Sequence, residues 1–127
     1  VYINGEGALD QSGPSFAYIN VGQPRTDAQQ QKHFFNIGYS YTAGRELHGE
    51  ICEARIWNVV RTQEQIAANV YEVDPESEGL VAYWKFDEGS GETIRDHTGN
   101  NNNGTAHEKL KWNSVSLPEA PSAGAIN

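Results

Sequence analysis

With a single cysteine, Cys52, the 127-residue chain can form no internal disulfide. One thiol is also too few for a thiolate zinc site or a redox pair. There is no methionine, and no apolar run comes near the ~18 residues that a membrane helix requires. Positive charge is scarce as well: nine Lys and Arg stand against seventeen Asp and Glu, for a formal charge of −8. Such a chain repels phosphate backbones and anionic lipid headgroups, so nucleic acid and membrane insertion are excluded from the expected partners. Stability has to come from an apolar core, a bound ion or a partner.

What is present is the chemistry of β-sheets. Ser15 to Val21 (SFAYINV), His33 to Tyr41 (HFFNIGYSY), Glu50 to Val60 (EICEARIWNVV), Leu80 to Phe86 (LVAYWKF) and Lys111 to Leu117 (KWNSVSL) are rich in aromatic and β-branched residues. Gly, Pro, Asn and Asp separate them, the punctuation of an antiparallel sandwich or barrel. The chain begins on a strand, Val1-Tyr2-Ile3, that runs into Asn4-Gly5, the dipeptide that suits a two-residue hairpin. One short helix is expected. In RTQEQIAANVY, Thr62 caps the N-terminus, Gln65 answers it three residues on, and Ile66 and Val70 share a face. These elements make one unit over 1–117, and the tail PEAPSAGAIN, 118–127, reads as a flexible terminus or linker.

Alternation along Ile51 to Asn58 places Cys52, Ala54 and Ile56 on one face and Ile51, Glu53, Arg55 and Trp57 on the other. Glu53, Arg55 and Trp57 are the candidate ligand-binding set: a Trp ring covers the apolar side of a pyranose while Arg and Glu bond its hydroxyls. The alternative is that Trp57 packs under the helix and Glu53 pairs with Arg55 at the surface. Cys52 is expected to be a buried thiol without chemistry. Trp84, in phase with Leu80, Ala82 and Phe86, is expected in the core.

A second set lies in FDEGSGETIRDHTGNNNNGT. Asp96, Thr98, Asn100 and Asn102 alternate oxygen ligands as hard-cation loops do, and Asp87 adds a second carboxylate, which makes calcium the candidate cofactor. An EF-hand is excluded, because Asn101 occupies its glycine position and His107 the place of its bidentate Glu. The alternative is a turn-rich loop in which Asp and Asn bond their own backbone and Asn103-Gly104 makes a tight turn. Asn103-Gly104-Thr105 also fits a glycosylation sequon, relevant in a eukaryotic secretory pathway.

Catalysis is not expected. A retaining glycosidase needs two carboxyl groups about 5 Å apart on one face, and Glu50 and Glu53, three apart, point to opposite faces of a strand. The Glu-x-Asp-x-Glu of Glu72 to Glu76 contains Pro75 and reads as a loop. His33, His48, His97 and His107 are scattered in polar or turn contexts and assemble no Ser-His-Asp set.

HGEICEARIWNVVRTQEQI resembles the closing strand and short helix of the LamG-like jelly roll, a laminin G-related branch of the concanavalin A-like lectin/glucanase superfamily. VYINGEGA is similar to its YVNG strand, FFNIGY to its strand with an IG pair, and LVAYWKFDEGSGETIRDHTGNNNNGT to its YWxFDEGSGxxxxDxSGNGNxGT segment. Departures are Cys52-Glu53 in place of Asp-Glu and the four-Asn run in place of Gly-Asn pairs. The YWxFDEGSG-like segment follows the helix here, as in bacterial surface proteins with permuted strand order. The resemblance implies an all-β antiparallel jelly-roll sandwich with one short helix, lacking N-terminal strands that would precede Val1. It further implies an extracellular, cell-surface or periplasmic location and a non-catalytic carbohydrate-binding or adhesion role with a glycan or polysaccharide partner. Alternatives are a structural spacer or protein-interaction domain without glycan binding, and an accessory domain of a glycoside hydrolase.

Overall fold

The computed structural model describes residues 2, 3, 6, 7, 25, 26, 32, 33, 35–38, 44 and 46–116. Among them it is mostly strands with one short helix, consistent with an all-β chain. The strands pair into four two-stranded antiparallel sheets. The chain divides into two compact units, one of residues 1–9 and 52–127, the other of residues 10–51. No helix among the described residues is long and apolar enough to cross a membrane.

In the first unit, β1 (Tyr2–Ile3) pairs with β2 (Glu6–Gly7), Ile3 opposite Glu6. That register fits the two-residue connection expected from Asn4-Gly5. In the second unit, β3 (Arg25–Thr26) pairs with β4 (Lys32–His33). Of the segment expected to be a strand from His33 to Tyr41, His33 lies in β4, residues 35–38 lie in no strand, and the remaining positions fall outside the described residues. The expected strand Ser15 to Val21 and the tail 118–127 also lie outside them. Lys111 to Leu117 is corrected: residues 111–116 carry no strand, and Trp112 is half-buried in irregular chain.

The best-packed part of the first unit is the pair β5 (Ala54–Trp57) and β6 (Leu80–Trp84). Ala54 faces Trp84, Arg55 faces Tyr83 and Ile56 faces Ala82, and then the register slips so that Trp57 pairs with Leu80. Val81 is thereby left without an opposite residue, the signature of a β-bulge. The slip moves Leu80 away from the face of Ala82 and Trp84, where strict alternation places it, into a cluster with Tyr83 and Val73 against which Trp57 packs. Both faces of β6 are therefore covered, with Tyr83 fully buried and Ala82 and Trp84 nearly so. Phe86 does not continue the strand, because its φ of 55° turns the chain out of extended geometry.

The helix α1 (Gln63–Ala68) forms where its local signals place it. Thr62 Oγ1 accepts from Gln65 N at 3.2 Å, and Gln65 Oε1 accepts from Thr62 N at 3.0 Å, which closes a capping box. Beyond it, Asp74 organises the loop that leads to β6: its Oδ1 accepts from Glu76 N and its carbonyl from Ser77 N and Oγ. Here Glu72 to Glu76 is the expected loop, and it buries Val73. Gly79 makes the entry into β6 with φ +82°, and its carbonyl accepts from Asn58 N at 2.8 Å. A Cβ at Gly79 would lie 2.5 Å from Val59 Cγ2. Gly79→Ala is therefore expected to destabilise the first unit by at least about 1–2 kcal/mol from the left-handed backbone alone. Chemical denaturation of the variant beside the unsubstituted chain checks this, and equal midpoints would show that the turn relaxes freely.

Candidate functional site

The segment 96–102 lies along the edge of β6 that β5 leaves open. Asp96 bridges to Trp84, and His97 N donates to the Tyr83 carbonyl at 2.8 Å. The buried Asp96 carboxylate takes up the other groups: Oδ1 accepts from Tyr83 N, Thr98 N and Thr98 Oγ1, and Oδ2 from Asn102 N, all within 2.8–3.1 Å. Its own N–H donates to Asn103 Oδ1 at 2.9 Å. Thr98 Oγ1, Asn100 Nδ2 and Asn102 Nδ2 converge on the Val81 carbonyl, and the Asn102 carbonyl receives Trp84 Nε1 at 2.8 Å. Asn101 takes the left-handed conformation, φ 60°, that Asn tolerates better than most side chains. The expected tight turn at Asn103-Gly104 is corrected. Gly104 opens β8 (Gly104–Thr105), which pairs with β7 (Thr93–Ile94).

Thus Asp96, Thr98, Asn100 and Asn102 are brought together, and each has protein partners already. Asp87 is directed elsewhere, its Oδ1 lying 3.8 Å from His97 Nε2. Among the described residues no group of three or more His, Cys, Asp or Glu side chains comes together as a metal site. Burial alone would raise the Asp96 pKa. The hydrogen bonds from the Thr98 amide and hydroxyl, the Tyr83 amide and the Asn102 amide outweigh it and hold the pKa below the ordinary carboxylate value. A depressed pKa contributes stability that is present above the unfolded-state value and is lost as pH falls through the folded-state value. Asp96→Asn should therefore melt lower at neutral pH and show a smaller loss of stability on acidification below pH ~4. Parallel acid titrations of melting temperature check it. A cation at Asp96 would have to displace the donors of Tyr83, Thr98 and Asn102, so an unchanged melting temperature with millimolar calcium or a chelator is expected. A rise with calcium that Asp96→Asn abolishes would show that the loop rearranges around the ion.

On the other side of β6, Glu53, Arg55 and Trp57 are also brought together, and Tyr83 organises them. Tyr83 Oη donates to Glu53 Oε1 at 2.5 Å, while Arg55 Nη2 pairs with Glu53 Oε2. The Arg55 guanidinium lies 5.2 Å from the Tyr83 ring centroid and donates through Nη1 to the Asn69 carbonyl. Burial first, then the hydrogen bond to Glu53, pushes the Tyr83 pKa up to about 12. Glu53 and Arg55 do pair, as the alternative reading expected, but in a part-buried setting rather than at the open surface. Cys52 is exposed, contrary to the expectation of a buried thiol. It precedes the first paired residue of β5, so alternation does not carry it under the sheet.

Between β5 and α1 lies an open cleft of about 330 Å³, lined by Arg55, Trp57, Arg61, Gln65, Ile66, Asn69 and Val70. The Arg61 guanidinium sits over the Trp57 ring, 4.0 Å from its centroid, and Arg61 Nη2 donates to Asn69 Oδ1 at 2.8 Å. Trp57 is thus half-buried, with part of its surface on the core cluster and part in the cleft. The expectations from sequence missed Arg61, Gln65, Asn69 and Tyr83. Gln65 and the C-cap Asn69 are four apart, so helical periodicity could have placed them on one stripe beside Ile66, whereas Arg61 precedes the extended N-cap Thr62 and no periodicity marks it. Nothing local marks Tyr83, whose role comes from the pairing of β5 with β6.

No family model matches the chain, and no curated protein matches it. A solved structure from Bacteroides ovatus, described as a "putative carbohydrate binding protein", is similar to it at 42% sequence identity and a TM-score of 0.44. The match covers 50% of this chain and 19% of that protein, so the chain spans under a fifth of the length of that protein.

Proposed function

We propose that the chain is part of a LamG-like jelly roll from an extracellular or surface-exposed bacterial protein, and that it binds carbohydrate without catalysing a reaction. The observation that carries the reading is the cleft between β5 and α1, where an aromatic ring, two guanidiniums and two carboxamides meet. Sugar sites combine these elements: apolar area for the ring's C–H face and planar hydrogen-bonding groups for its hydroxyls. Glu53 has a supporting part. It is engaged by Tyr83 and Arg55, which suits a residue that holds the arginine in place rather than a free general acid or base. The LamG-like fold and the surface location rest on the motif resemblance in HGEICEARIWNVVRTQEQI and LVAYWKFDEGSGETIRDHTGNNNNGT.

Because Trp57 also packs on the core cluster, truncation to alanine would confuse lost binding with lost folding. Trp57→Leu keeps an apolar body beneath the helix and removes the ring. On a glycan array the unsubstituted chain is expected to retain a defined glycan, and Trp57→Leu to bind it about tenfold or more weakly while still melting cooperatively. Equal retention by both would remove Trp57 from the site, and retention of no glycan would leave the structural-spacer reading in its place.

A further inference from the structure

We infer that the ligand of the cleft between β5 and α1 is an acidic sugar, a uronate-type residue carrying one carboxylate, an inference that rests on the carbohydrate reading above. Seventeen of the chain's side chains are acidic and nine basic, yet two arginines and no carboxylate line this cleft. Arg55 has its charge matched by Glu53. Arg61 has no carboxylate partner among the described residues, and its recorded neighbours are the Trp57 ring and Asn69. The cleft therefore carries a local excess of positive charge, and Arg61, whose hydrogen bond to Asn69 uses Nη2, brings further guanidinium donors to it.

Both arginines are held in advance by one residue. Asn69 accepts Arg55 through its carbonyl and Arg61 through Oδ1, while its own Nδ2 donates to the Glu72 carbonyl at 3.3 Å. Two guanidiniums fixed from the same anchor lose little freedom when an anion arrives, the condition under which charged recognition is strongest. The planar fork of Arg matches a carboxylate in a two-bond geometry that neutral hydroxyls do not reproduce. Ile66, Val70 and the part of the Trp57 ring that Arg61 leaves in the cleft offer the apolar surface for the sugar body. The net charge of −8 opposes a densely charged polymer, so a single carboxylate in a mainly neutral glycan fits better than a polysulfate.

The test titrates the full chain with neutral oligosaccharides that carry one galacturonate, glucuronate or mannuronate residue, and with their carboxyl-reduced counterparts, which keep the ring and lose the charge. At least one acid form is expected to bind about tenfold or more tightly than its reduced partner, the size of a charged hydrogen bond. Arg61→Gln should erase that preference, and Arg61→Lys, which keeps the charge but not the planar fork, should recover only a part of it, with both variants melting within a few degrees of the unsubstituted chain. Binding of reduced forms equal to or better than the acids, or an acid preference untouched by Arg61→Gln, overturns the acidic-sugar inference while the carbohydrate reading stands. Failure of every acidic and neutral form to bind overturns both.

Discussion

The carboxylate of Asp96 is the constraint on which the well-packed region depends. A two-stranded sheet has an open edge on each strand, and buried N–H and C=O groups along such an edge cost free energy unless they are paired. In β6 that edge belongs to Val81 and Tyr83, and instead of a further strand the neighbouring segment satisfies it, with the His97 backbone N–H at the Tyr83 carbonyl and side chains at the other groups. Asp96 alone accepts from Tyr83 N, Thr98 N, Thr98 Oγ1 and Asn102 N. Thr98, Asn100 and Asn102 complete the work at the Val81 carbonyl. A buried charge is tolerable when it accepts several hydrogen bonds, and the lowered pKa of Asp96 is the electrostatic expression of that arrangement.

Closing one edge of β6 lets its two faces carry different duties. Ala82 and Trp84 lie on one face, with Trp84 tied by its indole N–H to the Asn102 carbonyl. Tyr83 lies on the other, fully buried, and passes the order of the core outward through Glu53 to Arg55. Arg55 reaches Asn69 at the end of α1, and Asn69 holds Arg61 over Trp57. A continuous set of contacts thus links the Asp96 segment to the cleft. Residues of opposite chemical character stay adjacent along it because each charged group has a designated partner.

Trp57 illustrates why the two readings drawn from its sequence context were not exclusive. Sharing a face with Glu53 and Arg55 suggested a ligand platform, and its size suggested core. The register slip at Val81 brings Leu80 opposite Trp57 and joins the ring to the Val73, Leu80 and Tyr83 cluster, while α1 leaves part of the same ring in the cleft. Cys52 shows the complementary failure: alternation assigned it a side of the strand, but no covering element reaches it before β5 begins to pair.

What the sequence by itself determined was whatever depends on neighbours a few residues apart. Thr62 and Gln65 make their capping box because three residues is one helical turn, the register of Ile3 opposite Glu6 fits the two-residue connection expected there, and the apolar run from Leu80 to Trp84 becomes a strand. The tertiary structure decided which backbone groups needed partners and where those partners lay. The run of oxygen-bearing residues from Asp96 to Asn102 was visible as a possible ion loop. That its acceptors and donors meet Val81 and Tyr83 instead depends on a strand more than ten residues away in the chain. Hydrogen-bonding capacity is a property of residue type, but its use is set by which group is nearest in space, and the pairing of distant strands decides that.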